Sequence, residues 1–176
     1  MNETKGSLKA GGKRFALVAG RFNEIYTREL VNGAADTLEQ LGADRDELDL
    51  FWVPGAFEVP AAAMSLARSG RYHAVLCLGV VIRGATSHFE LVSGEAARGV
   101  AAVTRETGVP AIFGIVTAET LEQAAERCGS KMGNKGREAA MAAVEMANLL
   151  ETIESRRAGD ALIRAAEKDE RGGGAQ

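Results

Sequence analysis

The segment Ala74-Val75-Leu76-Cys77-Leu78-Gly79-Val80-Val81-Ile82-Arg83-Gly84-Ala85-Thr86-Ser87-His88-Phe89-Glu90 decides the architecture of this chain. From Ala74 to Ile82 it is uncharged and mostly Val, Leu and Ile, the composition of a strand buried on both faces of a parallel sheet. Arg83 and Gly84 stop the strand. Ser87 and Glu90 then stand three apart, as in a capping box, so a helix is expected to begin there. Such a junction leaves backbone amides free around Ala85 to His88, at the positive end of a helix dipole beyond a strand's carboxyl edge, which favours an anion. His88 falls in the first helical turn, where the dipole disfavours a positive charge, so its ring is suited to accept a proton. A solvated histidine in a capped turn fits this segment equally well.

The same strand-then-helix pattern repeats on either side. Phe15 to Gly20 reads as a first strand, and Asn23 can cap a helix that carries Leu30, Ala34, Leu38 and Leu41 at helical spacing before Gly42. Leu48 to Val53 is the next strand, followed by Pro54-Gly55 and a helix with Pro60 near its start and Gly70 after its end. A fourth strand, Ala111 to Val116, precedes a capping box at Thr120 and Gln123. After the glycine-broken connection Gly129 to Gly136, residues Glu138 to Glu151 form an alanine-rich helix. Strands separated by single helices pair in parallel through right-handed crossovers, which puts helices on both faces of one sheet. The expected fold is an α/β three-layer flavodoxin-like sandwich around a four-stranded parallel sheet. Its ligand-facing loops are Gly20 to Glu24, Pro54 to Glu58, Arg83 to His88 and Thr117 to Thr120.

Outside residues 13–151, a polar arm (1–12) and a charged tail (152–176) are expected to be appendages, the tail mobile with a short helix from Asp160 to Lys168. The chain is 46% apolar and 26% charged with a formal charge of -3, ordinary for a globular domain. Charges of both signs are mixed, so no basic stripe suits nucleic acid and no polybasic patch suits a membrane surface. The first fourteen residues lack the apolar core of a secretion signal and no apolar run reaches the length of a membrane span, which leads to the expectation of a cytoplasmic protein. Cys77 and Cys128 fit structural thiols in a reducing compartment better than a disulfide. With His73 and His88 as the two histidines, no zinc-type ligand set is spaced in the sequence.

Several side chains suit chemistry, each with a plainer alternative. Phe22, at the exit of the first strand, can stack on a flat ligand or staple onto the first helix. Glu58 can bind hydroxyls or simply favour a helix dipole. Arg127 and Lys135 can hold a phosphate, one as a fork and one as a point charge, or remain solvated.

Read in order, Gly20-Arg21-Phe22-Asn23, Val53-Pro54-Gly55-Ala56-Phe57-Glu58, Gly79 through Phe89, Gly133-Asn134-Lys135-Gly136 and Glu145-Met146-Ala147-Asn148-Leu149 resemble the lumazine synthase family from about Gly12 to Leu150. The resemblance implies a transferase of riboflavin biosynthesis that condenses 5-amino-6-(D-ribitylamino)uracil with 3,4-dihydroxy-2-butanone 4-phosphate, without cofactor or metal. It implies that Phe22 stacks on the pyrimidine, that Ala56, Phe57 and Glu58 meet the ribityl side, and that Val80, Val81 and Ile82 line the heterocycle. Ala85, Thr86 and Arg127 would take the phosphate, His88 would transfer protons, and Lys135 would act as a charged catalytic group beside the phosphate. Phe113 would be an aromatic wall supplied by the adjoining subunit, so the active site would lie between neighbours in a homo-oligomer. Similar proteins form pentamers or shells of twelve pentamers. The connection from Cys128 to Gly136 lacks the insertion of pentamer-only members, so a sixty-subunit shell is expected, with the polar arm covering a neighbour's sheet edge. The chain departs from the pattern at Glu90-Leu91, at Gly94, at Ser130-Lys131-Met132 and in its longer tail.

Overall fold

The computed structural model describes residues 1–172, with side chains through residue 161. Strands β1 (Phe15–Gly20), β2 (Leu48–Val53), β3 (Ala74–Ile82) and β4 (Ala111–Ala118) alternate with helices α1 (Glu24–Gln40), α2 (Val59–Arg68), α3 (His88–Thr107), α4 (Leu121–Arg127) and α5 (Lys135–Gly172). A single 3-10 turn at Arg45–Glu47 precedes β2. All strand pairs are parallel, in the order β2-β1-β3-β4. This is the expected α/β flavodoxin-like sandwich, with β3 inside the sheet and β2 and β4 at its edges.

Side-chain alternation along the strands sorts the core into two layers. Phe15, Leu17 and Ala19 of β1 and Ala74, Leu76 and Leu78 of β3 meet Val31, Ala34 and Leu38 of α1 and Ala140, Ala143 and Val144 of α5. The intervening residues Ala16, Val18, Val75 and Cys77 point the other way, onto Val59, Ala63 and Ala67 of α2 and Ala96, Val100 and Val103 of α3. A third cluster, Val80, Val116, Ala118, Ala124, Cys128 and Leu30, closes the carboxyl end of the sheet beneath α4. Both cysteines are free and buried. Burial pushes the Cys77 thiol up to about 12, and burial with the nearby Glu29 charge pushes Cys128 up to about 11, so both are protonated packing groups.

The helix starts differ from the sequence reading in two places. Asn23 stands before α1 in the left-handed region, with φ 61, and its side chain makes no cap. Its amide donates instead to the Val80 carbonyl at 2.9 Å, tying the exit of β1 to β3. Ser87 likewise makes no side-chain cap. The Thr120 cap does form: its hydroxyl accepts from the Gln123 amide at 3.2 Å, while the Gln123 side chain accepts from the Glu119 amide at 2.8 Å.

At the carboxyl end, the expected helix from Glu138 to Glu151 and the separate one from Asp160 to Lys168 are one uninterrupted helix of 38 residues. No proline interrupts residues 135–172, and Ala, Glu and Arg dominate, so a lone Gly159 is too weak a breaker to end it. Residues 173–176 of the tail lie outside the described residues. The arm has no strand pairing and runs along α5 of its own chain. The Asn148 amide donates to the Ser7 and Lys9 carbonyls at 2.9 and 3.1 Å, Lys13 pairs with Glu151 at 2.6 Å, and the Ala10 amide donates to Leu41 at 2.9 Å.

Leu76 is fully buried in mid-β3 between the sheet and the α1–α5 layer. Truncation there removes packing that the rigid crossovers cannot refill, so Leu76→Ala is expected to cost about 2–5 kcal/mol. Urea unfolding measures it, and an unchanged midpoint would contradict this account of the core.

Candidate active site

Three strands end side by side, and the chain leaving each one is fastened to its neighbour. The Arg21 amide donates to the Val53 carbonyl at 2.8 Å and the Phe22 amide to Pro54 at 3.0 Å, which joins the exits of β1 and β2. Phe22 is 73% exposed and Phe57 56%, so neither ring is a staple; both are held out at the rim. Gly55 lies between Phe22 and Glu58: a Cβ there would sit 3.3 Å from a Glu58 carboxylate oxygen and 3.9 Å from the Phe22 Cβ. Glu58 precedes α2 without capping it, leaving its exposed carboxylate directed at this glycine rather than at the helix amides.

Ala56 is buried and approaches Gly79, where a Cβ would meet the Ala56 methyl at 3.7 Å. Val81 and Ile82 are half-buried and pair in register with Thr117 and Ala118. Val80, expected with Val81 and Ile82 to line the heterocycle, turns its side chain away from the strand end. It is 2% exposed within the core beneath α4, and its carbonyl is the group engaged by Asn23. Nine alternating residues bring it to the core-facing side at the point where α4 closes the sheet.

The turn from Arg83 to His88 is exposed, and one guanidinium anchors it. Arg83 pairs with Glu90 in the first turn of α3 and with Glu119 beyond β4, and lies 4.2 Å from the Phe89 ring centre. Its amide donates to the Ala118 carbonyl at 2.9 Å. With its carboxylate on Arg83, Glu90 makes no return bond to Ser87, and the Ser87 hydroxyl makes no cap either. Hydrogen bonding to Arg83 lowers the Glu90 carboxyl below its ordinary range, and the pairs with Glu119 and then Glu90 raise Arg83. Thr86 takes the vacant role in part, its hydroxyl accepting from the His88 amide at 3.4 Å. Ala85, Thr86 and His88 therefore surround an accessible amide-rich turn at the start of a 20-residue helix.

Phe113, Arg127 and Lys135 gather elsewhere, in a groove of about 460 Å³ along β4 and the start of α5 that Glu138 and Ala142 also line. Lys135 is paired with Glu138, one helical turn away, whereas Arg127 has no ion pair among the described residues. Phe113 is opposite Cys77, and Thr117, four residues on, is opposite Val81, so the ring is set back roughly 13 Å along the strand at about 3.3 Å per residue. Phe22, Ala56, Phe57, Glu58, Val81, Ile82, Ala85, Thr86 and His88 thus form one rim at the strand ends, and Phe113, Arg127 and Lys135 form a second cluster on the outer edge.

Sequence reasoning missed Glu138, although its spacing of three from Lys135 on one helix was available. Asn23 reads in the sequence as a cap and as part of the Gly20–Asn23 motif, and its tie to β3 is visible only in the fold. Among the described residues, no group of three His, Cys, Asp or Glu is arranged for a metal ion, and no helix is long and apolar enough to cross a membrane.

The family model described as 6,7-dimethyl-8-ribityllumazine synthase matches residues 12–151, a span that contains both clusters and stops partway along α5. A match over most of the chain, on a sheet of the expected order with the family's motifs at its strand ends, settles the kinship. The chain belongs to the 6,7-dimethyl-8-ribityllumazine synthase family, transferases of riboflavin biosynthesis.

Proposed function

We propose that each active site is built from two chains, the strand-end rim of one and the β4 groove of its neighbour. The reaction is the lumazine synthase reaction of the family, joining 5-amino-6-(D-ribitylamino)uracil to 3,4-dihydroxy-2-butanone 4-phosphate. The observation that supports the two-chain reading is that Phe113 is set back along β4 from the rim and lines, with Arg127 and Lys135, a groove of its own on this edge strand. A cyclic assembly repeats one contact around its ring, so every rim receives a groove.

In this arrangement Phe22 stacks on the pyrimidine, with Phe113 of the next chain as the facing wall. Ala56, Phe57 and Glu58 hold the ribityl chain, and the strand end at Val80, Val81 and Ile82 forms the floor. The butanone's phosphate rests on the turn at Ala85 and Thr86 and is clamped by Arg127, with Lys135 beside it. The pyrimidine's 5-amine attacks the ketone and water leaves, giving an imine. A proton is lost from the adjacent carbon and the phosphate departs with the C–O bonding pair, leaving an enol that becomes a ketone. The ribitylamino nitrogen attacks that ketone, and loss of a second water closes the ring. His88 moves protons in these steps, while Arg127 and the turn amides stabilise the departing dianion. Much of the rate comes from holding two substrates together.

The expected assembly is a shell of sixty chains in the cytoplasm. Support comes from the short, insertion-free connection between Cys128 and Gly136 and from two protonated thiols suited to a reducing compartment. Sedimentation should return the mass of a shell, and a pentamer mass alone would overturn that part.

Removing a general acid–base group typically costs a hundred- to ten-thousandfold, so His88→Ala is expected to lower kcat by roughly that factor while leaving measurable turnover. A folded variant with no turnover at all would contradict the assignment. Arg127→Ala should chiefly raise KM for the butanone phosphate, read from lumazine fluorescence with the other substrate saturating. An unchanged KM would remove Arg127 from the phosphate site.

A further inference from the structure

Asn134 is 8% exposed, yet its side-chain amide makes four hydrogen bonds to backbone groups of three segments. Nδ2 donates to the Glu29 carbonyl of α1 at 2.8 Å and to the Cys128 carbonyl at the end of α4 at 3.2 Å. Oδ1 accepts from the Gly136 amide at 2.8 Å and the Arg137 amide at 3.3 Å in the first turn of α5. That exhausts the hydrogen-bonding capacity of an amide. Three glycines on those same segments make room for it. A Cβ on Gly33 would lie 2.6 Å from Oδ1 and one on Gly129 3.2 Å from Nδ2, while one on Gly136 would meet the Leu30 carbonyl of α1 at 1.9 Å as well as Oδ1 at 2.9 Å.

A helix cap needs only the oxygen of such a side chain. The nitrogen does something else: it joins the residue after Arg127 to the residue before Lys135 and fixes both to α1. We infer that Asn134 is a positioning residue for the phosphate subsite, holding the Arg127 and Lys135 cations in register through one fully satisfied buried amide. This rests on the phosphate role proposed for those two cations. Arg127 lacks an ion pair among the described residues and Lys135 has only a surface pair with Glu138, so neither charge is fixed by its own contacts. Displacement of a binding group by about 1 Å can cost a hundredfold, which makes such a tether consequential.

Two substitutions separate the tether from other effects. Asn134→Asp keeps the helix cap but replaces the two donated bonds with an anion facing two carbonyls. Gly33→Ala adds a neutral methyl that must displace the Asn134 amide, on a helix face that belongs to neither cluster. Each is expected to raise KM for the butanone phosphate about tenfold relative to KM for the pyrimidine amine, with the assembly retained in sedimentation. In an Arg127→Ala background, which removes one of the two groups being positioned, each should raise that KM by a smaller factor than it does alone.

An effect of Asn134→Asp that Gly33→Ala does not share would mean charge repulsion and overturn the tether. Parallel movement of both KM values with the melting temperature, or full additivity with Arg127→Ala, would mean a general structural role and overturn it too. If Asn134→Asp fails to fold, Gly33→Ala alone decides by the same readings. Should Arg127→Ala itself leave KM for the phosphate substrate unchanged, the phosphate reading falls and takes the tether with it.

Discussion

Helices cover both faces of β3, and that single constraint governs where this molecule can bind anything. A strand apolar on both sides offers no lateral surface to a ligand, so recognition is confined to the carboxyl end of the sheet and to its open edges. Both places carry candidate binding groups here. The strand ends carry Phe22, Glu58 and the Arg83–His88 turn, while the edge strand β4 carries Phe113 beside Arg127 and Lys135. The crossover helices that bury β3 also deliver α3 to the point where its free amides face solvent.

Much of this was readable from residue order alone. The uncharged run from Ala74 to Ile82 marks β3 to the residue, as Phe15 to Gly20 does β1, because both lie between helix layers and apolar composition leaves no other state. The end of β4 was less visible: Thr117 and Ala118 extend the strand by pairing with Val81 and Ile82, a long-range partnership that local pattern does not encode. The long α5 was also hidden, since charge and a glycine suggest a break where the backbone needs none.

The clearest failures occur where a side chain had two possible partners. Glu90 has the spacing of a capping residue, but its carboxylate pairs with Arg83, and a charge-assisted bond is stronger than a neutral cap. Asn23 has the type of a cap and instead spans to β3. Val80 sits in a motif that suggests ligand contact, and strand parity turns its side chain into the core, leaving its backbone at the strand end. Asn134 shows nothing in isolation; its meaning depends on Gly129 and Gly136 beside it and on Gly33, far away in the sequence. Composition and period report what each segment becomes. They are silent about which of several suitable partners folding brings nearest.

The position of the β4 groove on an outward edge has a bearing on how such a protein behaves as a population. If a rim is completed only by another copy, a newly made chain holds two unfinished halves and no whole site. Catalytic capacity then appears with association rather than with folding, and falls away on dilution. Chains damaged in different halves can still form sound pockets when they mix, because each junction samples one half from either parent. Under that arrangement selection would act on junctions between copies, and a lesion in one chain would be felt at its neighbour's bench.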